Sequence, residues 1–146
     1  MHRWMTGIVG LAATFVACAP PQPLVIMPAK MGAPPSTVNH RDGSAYVFVE
    51  NGRLQTRLRF DSVRRWGLSI TARAQAGADG SWPQLRVELD DVPPQTIVVG
   101  DRLSIPYRLT FGSEPGFADI RLSLLNGTAS GSGPVLIVER VELTPL

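Results

Sequence analysis

This sequence is short of the residues that most enzyme chemistry needs. It has one cysteine, Cys18, and two histidines, His2 and His40. A single cysteine excludes an internal disulfide and any zinc site of the multi-cysteine kind. Both histidines precede residue 44, so the stretch 44–146 offers none to a Ser-His-Asp hydrolase. Charge is sparse as well, at 18% of residues against about a quarter in ordinary domains. The formal net charge is only +2, and Arg57, Arg59, Arg64 and Arg65 are spread over alternating positions and a turn. Phosphate recognition needs a clustered basic face, which argues against nucleic acid as a partner. No apolar run approaches the roughly 20 residues of a membrane-spanning helix. Sustained 3.6-residue periodicity is missing too, so long amphipathic helices are not expected. What the chain has in quantity is Gly (14) and Pro (13), over a length of 146 residues that suits one domain.

The N-terminus carries the sharpest motif. His2-Arg3 is a short positive segment, followed by the apolar, small-residue run Ile8 to Ala17. Ten such residues fit the hydrophobic core of an export signal. Phe15-Val16-Ala17-Cys18 then resembles the lipobox of bacterial lipoproteins, with Phe15 where those prefer Leu. The resemblance implies a signal peptide over 1–17, cleavage before Cys18, and acylation of Cys18. Several acyl chains hold a protein stably on a membrane, since each buried CH₂ contributes about 0.8 kcal/mol. Ala19, rather than Asp, implies by the same analogy transit to an outer membrane, periplasmic or surface face. Signal cleavage with Cys18 as an incidental residue is the other reading. An exported lone thiol would then be an oxidation hazard, which favours the lipid.

Residues 18–43 read as a lipid-anchored tether. Prolines 20, 21, 23, 28, 34 and 35 remove backbone donors and fix φ, against helix and central strand alike. Extended polyproline geometry over roughly 25 residues would reach on the order of 70 Å. The apolar run Leu24 to Met27 leaves open an edge strand packed on the domain.

From residue 44 to 146 the pattern is strand after strand. Ala45–Glu50 is rich in β-formers and meets Asn51-Gly52, the strongest short hairpin signal. Leu54, Leu58 and Phe60 share one parity; Arg53, Gln55, Arg57 and Arg59 take the other, a wet face. Alternation returns over 68–76, 85–89, 103–109 and 120–124, with a short run at 96–99 and a long apolar one at 135–143. About eight strands, with turns every 8–12 residues, indicate an all-β fold: an antiparallel β-sandwich of jelly-roll type.

The order of pieces resembles the calcium-dependent xylan-binding carbohydrate modules. They run Ser69–Ala74, Asp79-Gly80-Ser81-Trp82-Pro83, Leu85–Asp90, Ile120–Asn126 and Leu136–Leu143. The resemblance spans Trp66 to Leu143 and implies a jelly roll that binds polysaccharide. It also implies calcium ligands in the last loop, commonly an Asp after the Asn and an Asp-Arg-Asn before the final strand. Here those positions read Gly127 and Gly133-Pro134-Val135, and Asn126 to Gly133 contains no carboxylate. Calcium takes six to eight oxygens, often several carboxylates, so no metal site and no cofactor are expected.

Candidate ligand residues follow from chemistry. Trp82 sits in a turn before Pro83 and could stack on a sugar ring; closing one end of the sandwich is its alternative. Asp79, Gln84 and Asn126 could hydrogen-bond sugar hydroxyls. Asp90-Asp91 reads as turn formation, because adjacent strand residues point to opposite faces. The expected function is a non-catalytic, membrane-anchored carbohydrate binder of the cell envelope. The alternative is a structural or assembly lipoprotein whose sandwich docks an envelope protein. An exposed aromatic ringed by polar groups would favour the first; an apolar patch or open strand edge would favour the second.

Overall fold

A computed structural model describes residues 22–146. Cys18 and the signal segment lie outside the described residues. Among the described residues, ten strands form two antiparallel sheets. They are β1 (Leu24–Ile26), β2 (His40–Asp42), β3 (Ala45–Phe48), β4 (Gly52–Phe60) and β5 (Arg64–Gln75), then β6 (Gln84–Leu89), β7 (Val92–Val98), β8 (Ile105–Ser113), β9 (Gly116–Leu124) and β10 (Val135–Pro145). The first sheet runs β2-β3-β10-β5-β8, with β1 also beside β10; the second runs β4-β9-β6-β7. The order is that of a jelly-roll sandwich, as the alternation implied.

Period-two alternation builds the core between the sheets. Leu68, Ile70, Ala72 and Ala74 of β5 point inward, as do Leu136, Val138, Val141 and Leu143 of β10. Leu54, Leu85, Ile120 and Leu122 meet them from the second sheet. Along β10 the inward parity changes between Val138 and Val141, because the pairing with β5 slips between Val138 and Arg140. Such a bulge adds one residue and resets the face.

Strands β3 to β10 correspond to the eight read from the pattern; β1 and β2 do not. Both fall inside the segment read as a tether, and that reading needs correction. Leu24, Val25 and Ile26 pair with Leu143, Glu142 and Val141. Met31 is 1% exposed, within the core. Gly32 exchanges both backbone hydrogen bonds with Gln55 of β4 (2.8 and 2.9 Å). Proline is compatible with all this because these are edge positions, where a missing donor costs little. Pro93 and Pro94 in β7 follow the same rule, since β7 ends the second sheet.

Asn51-Gly52 is a second correction. It joins β3 of the first sheet to β4 of the second, so it is a crossing and not a hairpin. A type I′ turn needs positive φ at both residues, and neither is among the positive-φ positions. The corner is held by Asn39 instead. Its Oδ1 accepts from the backbone of Val49 and Glu50 (2.7 and 2.9 Å), and its Nδ2 donates to the Glu50 carbonyl at 3.2 Å.

The strand directions give the sandwich two distinct ends. One, the loop end, carries 76–83, 99–104 and 125–134. The other, the turn end, carries 61–63, Asp90-Asp91 and Glu114-Pro115.

Candidate functional site

At the loop end the structure brings together two of the four candidate ligand residues. Asp79 and Asn126 line a hollow of about 320 Å³ with Ser81, Thr128, Ser132 and Pro134. Neither side chain is idle. Asp79 Oδ1 accepts from the Ser81 backbone (3.0 Å) and hydroxyl (2.6 Å). These bonds hold the Asp79 carboxyl below its ordinary value. Asn126 ties the backbone on either side of Pro83: Nδ2 donates to the Trp82 carbonyl (2.9 Å) and Oδ1 accepts from Gln84 N (2.8 Å). Trp82 and Gln84 do not line the hollow. Trp82 is half-buried and packs against the core, the arrangement of a residue closing the sandwich end. Gln84 is exposed at the start of β6.

The calcium that the resemblance implies does not fit this loop. Gly127 lies so close to the 50–51 backbone that a Cβ there would stand 2.7 Å from the Glu50 carbonyl carbon. No Asp could occupy that position without moving the chain. Asp79 is the one carboxylate lining the hollow, and the Asn126 amide is spent on backbone.

The second sheet presents a different site on its outer face. On β9 the outward parity is Phe117, Asp119, Arg121 and Ser123; on β4 it is Arg53, Gln55, Arg57 and Arg59. Register places Arg57 opposite Asp119 and Arg59 opposite Phe117. Asp119, with its side chain 13% exposed, is the hub. It accepts from Gln55 Nε2 at 3.0 Å and Arg57 Nε at 3.2 Å, and pairs Arg121 Nη2 at 3.5 Å. The other Arg121 arm reaches Asp90 at 3.1 Å. Phe117 is 68% exposed, and the guanidinium carbons of Arg57 and Arg59 lie 5.9 and 6.0 Å from its ring centre. Phe117 itself lines a hollow of about 220 Å³ with Phe60, Asp90 and Glu114. Through Arg57 it adjoins a groove of about 480 Å³ walled by Gly32, Ala33 and Pro34 and lined by Arg53, Gln55, Thr56, Arg57 and Asp119.

A glycosidase acid needs a raised pKa. Asp90 shifts the other way: the Asp119 backbone N–H donates to it, and Arg121 adds its charge. His40 is exposed on β2 with Nδ1 at 2.8 Å from the Val38 carbonyl. The pattern did contain a signal for this face. Phe117 is the one aromatic on an otherwise polar parity, and the alternating arginines of β4 mark the strand beside it.

No family model matches the sequence, and no curated protein matches it. Solved structures share the fold. The CBM36-1 domain of a multidomain xylanase from the hindgut metagenome of Trinervitermes trinervoides aligns at a TM-score of 0.66 and 9% identity, over 84% of this chain and 97% of that one. A family 35 carbohydrate-binding module from Clostridium thermocellum gives 0.58 and 15%, over 86% and 100%. A family two carbohydrate esterase from Cellvibrio japonicus gives 0.57 and 16%, over 86% of this chain; the chain spans 33% of that enzyme. At these identities the likeness establishes the jelly-roll architecture, and function has to come from the site.

Proposed function

We propose that this chain is a lipid-anchored, non-catalytic polysaccharide-binding module of the cell envelope, with its glycan site on the outer face of β4 and β9. One observation carries the reading: an exposed aromatic, Phe117, flanked by two guanidinium groups and a fixed hydrogen-bonding array, beside an open groove. The ring face would take the apolar C–H side of a sugar. Arg53, Gln55 and Arg57 would donate to its hydroxyls. Asp119 holds Gln55 and Arg57 in place, which lowers the ordering cost on binding. Cys18 would supply the anchor, by its lipobox resemblance.

The test is glycan retention on a polysaccharide array and in affinity gels. It uses the chain from residue 18 with Cys18→Ser. Phe117→Ala should weaken retention by about 2 kcal/mol, the scale of an aromatic anchor, with the melting temperature unchanged. Retention that survives Phe117→Ala but is lost with Asp79→Ala would move the site to the loop end. The docking alternative is favoured by one feature, the edge of β8, which ends the first sheet. Its experiment is co-purification with an envelope protein that a Thr110→Pro change abolishes.

A further inference from the structure

The turn end of the sandwich carries the features of a surface pressed on lipid, and the position of Cys18 says which lipid. Only five residues separate Cys18 from Leu24, the first residue of β1, a distance of six residue steps. Whatever their conformation, six residue steps span at most roughly 20 Å. The folded domain therefore begins close to the anchor, not at the end of a long arm. Leu24 pairs with Leu143, two residues before β10 ends at Pro145, so β1 starts toward the turn end. There the Leu146 N–H donates to the Arg65 carbonyl (3.0 Å), bringing the C-terminal residue against the start of β5.

We infer that this end of the domain rests on the bilayer surface holding the anchor, with the β4–β5 turn as its contact. The inference rests on the acylation of Cys18 proposed above. Exposed apolar side chains occur on this half, Val63 at 70%, Leu146 at 63% and Leu24 at 46%, as they do toward the loop end, where Leu103 is 73% and Val98 57% exposed. The short link to Cys18 is what selects this end. Arg64 and Arg65 follow Val63 directly and make no ion pair among the described residues. Apolar tips beside guanidinium groups suit a head-group boundary, where the first enter and the second meet phosphates. The contact turn holds one carboxylate, Asp61, which pairs with Arg59 at 3.6 Å. The other acidic turns of this end, Asp90-Asp91 and Glu114-Pro115, belong to β6–β7 and β8–β9, on strands away from β1. Strand β10, at about 3.3 Å per residue, brings the chain from the loop end down to this contact. The loop end then points away from the membrane, and the outer face of the second sheet stands at its side, open to a polymer.

The experiment uses the full chain, acylated in a bacterium that processes lipoproteins and reconstituted in vesicles. Val63→Cys and Ser130→Cys each introduce one thiol for a polarity-sensitive maleimide; acylated Cys18 does not compete. The probe at 63 should shift to the blue and be quenched by head-group-labelled lipid, and the probe at 130 should do neither. A Gly/Ser insertion of about 25 residues after Ala19, long enough to free the domain, should abolish the quenching at 63. Equal, weak quenching at both sites in chain that carries fatty acid would overturn the inference and leave the anchor standing. Shielding of position 63 from an aqueous quencher without lipid quenching would overturn it in favour of a protein partner. Wild-type chain that takes up no fatty acid would overturn both readings, and only that result touches the anchor.

Discussion

At the scale of single residues, the loop end separates what a side chain could do from what the fold has it doing. Trp82 and Asn126 have the chemistry of sugar contacts. Yet Trp82 packs on the core, and both polar arms of Asn126 hold the backbone around Pro83. Asn126→Ala should therefore cost about 1 kcal/mol, the net loss expected for hydrogen bonds that are part-buried or exposed. Trp82→Ala should cost about 2–3 kcal/mol, less than the 3–5 of a fully buried indole. Urea unfolding of both variants checks this; a Trp82→Ala chain as stable as wild type would return that residue to the ligand list. Acid stability gives a second test. Asp90 and Asp79 have folded pKa values below the ordinary 3.8. As pH falls, the unfolded chain takes up these protons first, so their stabilisation is present above that value and is lost on passing below it. Asp90→Asn keeps an acceptor for the Asp119 N–H but gives up the Arg121 pair. Its urea midpoint should fall less than that of wild type between roughly pH 4 and 2. Parallel curves would mean that Asp90 carries none of the acid sensitivity.

At the scale of elements, the two errors of sequence reading share a cause. Alternation is a signal of one strand against one core, and it located β4, β5, β6, β8 and β9, while β3, β7 and β10 showed as β-rich or apolar runs; β3 buries three residues in a row and β7 none. β1 and β2 are three residues each and mostly exposed, too short to alternate. Their membership comes from pairing with β10 and β3, which is long-range information. Local chemistry also misled at Asn51-Gly52, where a hairpin signal serves a crossing between sheets that Asn39 braces from outside. The candidate site was legible only in part. The wet parity of β4 showed, but Phe117 gained meaning only when register set it against Arg59. One consequence is a prediction about boundaries. A fragment starting at residue 36 lacks β1, Met31 and the Gly32–Gln55 bridge. Met31→Ala alone should cost about 2–5 kcal/mol, and the 36–146 fragment should be less stable still than a chain starting at 22. Thermal melts compare the three; a 36–146 fragment melting with the longer chain would mean that residues 22–35 only decorate the surface.

At the scale of the whole molecule, the folding of residues 24–42 onto the domain changes what an anchor would do. A long arm would let the domain roam far from the lipid. An anchor at Cys18, with a reach of roughly 20 Å, would tie it down, and orientation would then decide which surfaces meet a ligand. A groove along β4 and β9 suits that arrangement, because a polymer lying alongside the membrane could enter it without turning the domain. All of this depends on one thiol. The lipobox reading requires Cys18 to take a diacylglyceryl group through sulfur, and no other cysteine in the chain could replace it. Labelled fatty acid should therefore enter wild-type chain and not Cys18→Ser. The unlabelled variant should keep its signal segment or leave the membrane, since the remaining attraction of a near-neutral domain for lipid is small. With Ala19 after the cysteine, the labelled chain should band with outer membrane on a density gradient. Label in the variant equal to wild type would refute acylation at Cys18. Labelled protein confined to inner membrane would keep the lipid and refute the sorting, placing the groove against the periplasmic side of the inner membrane instead.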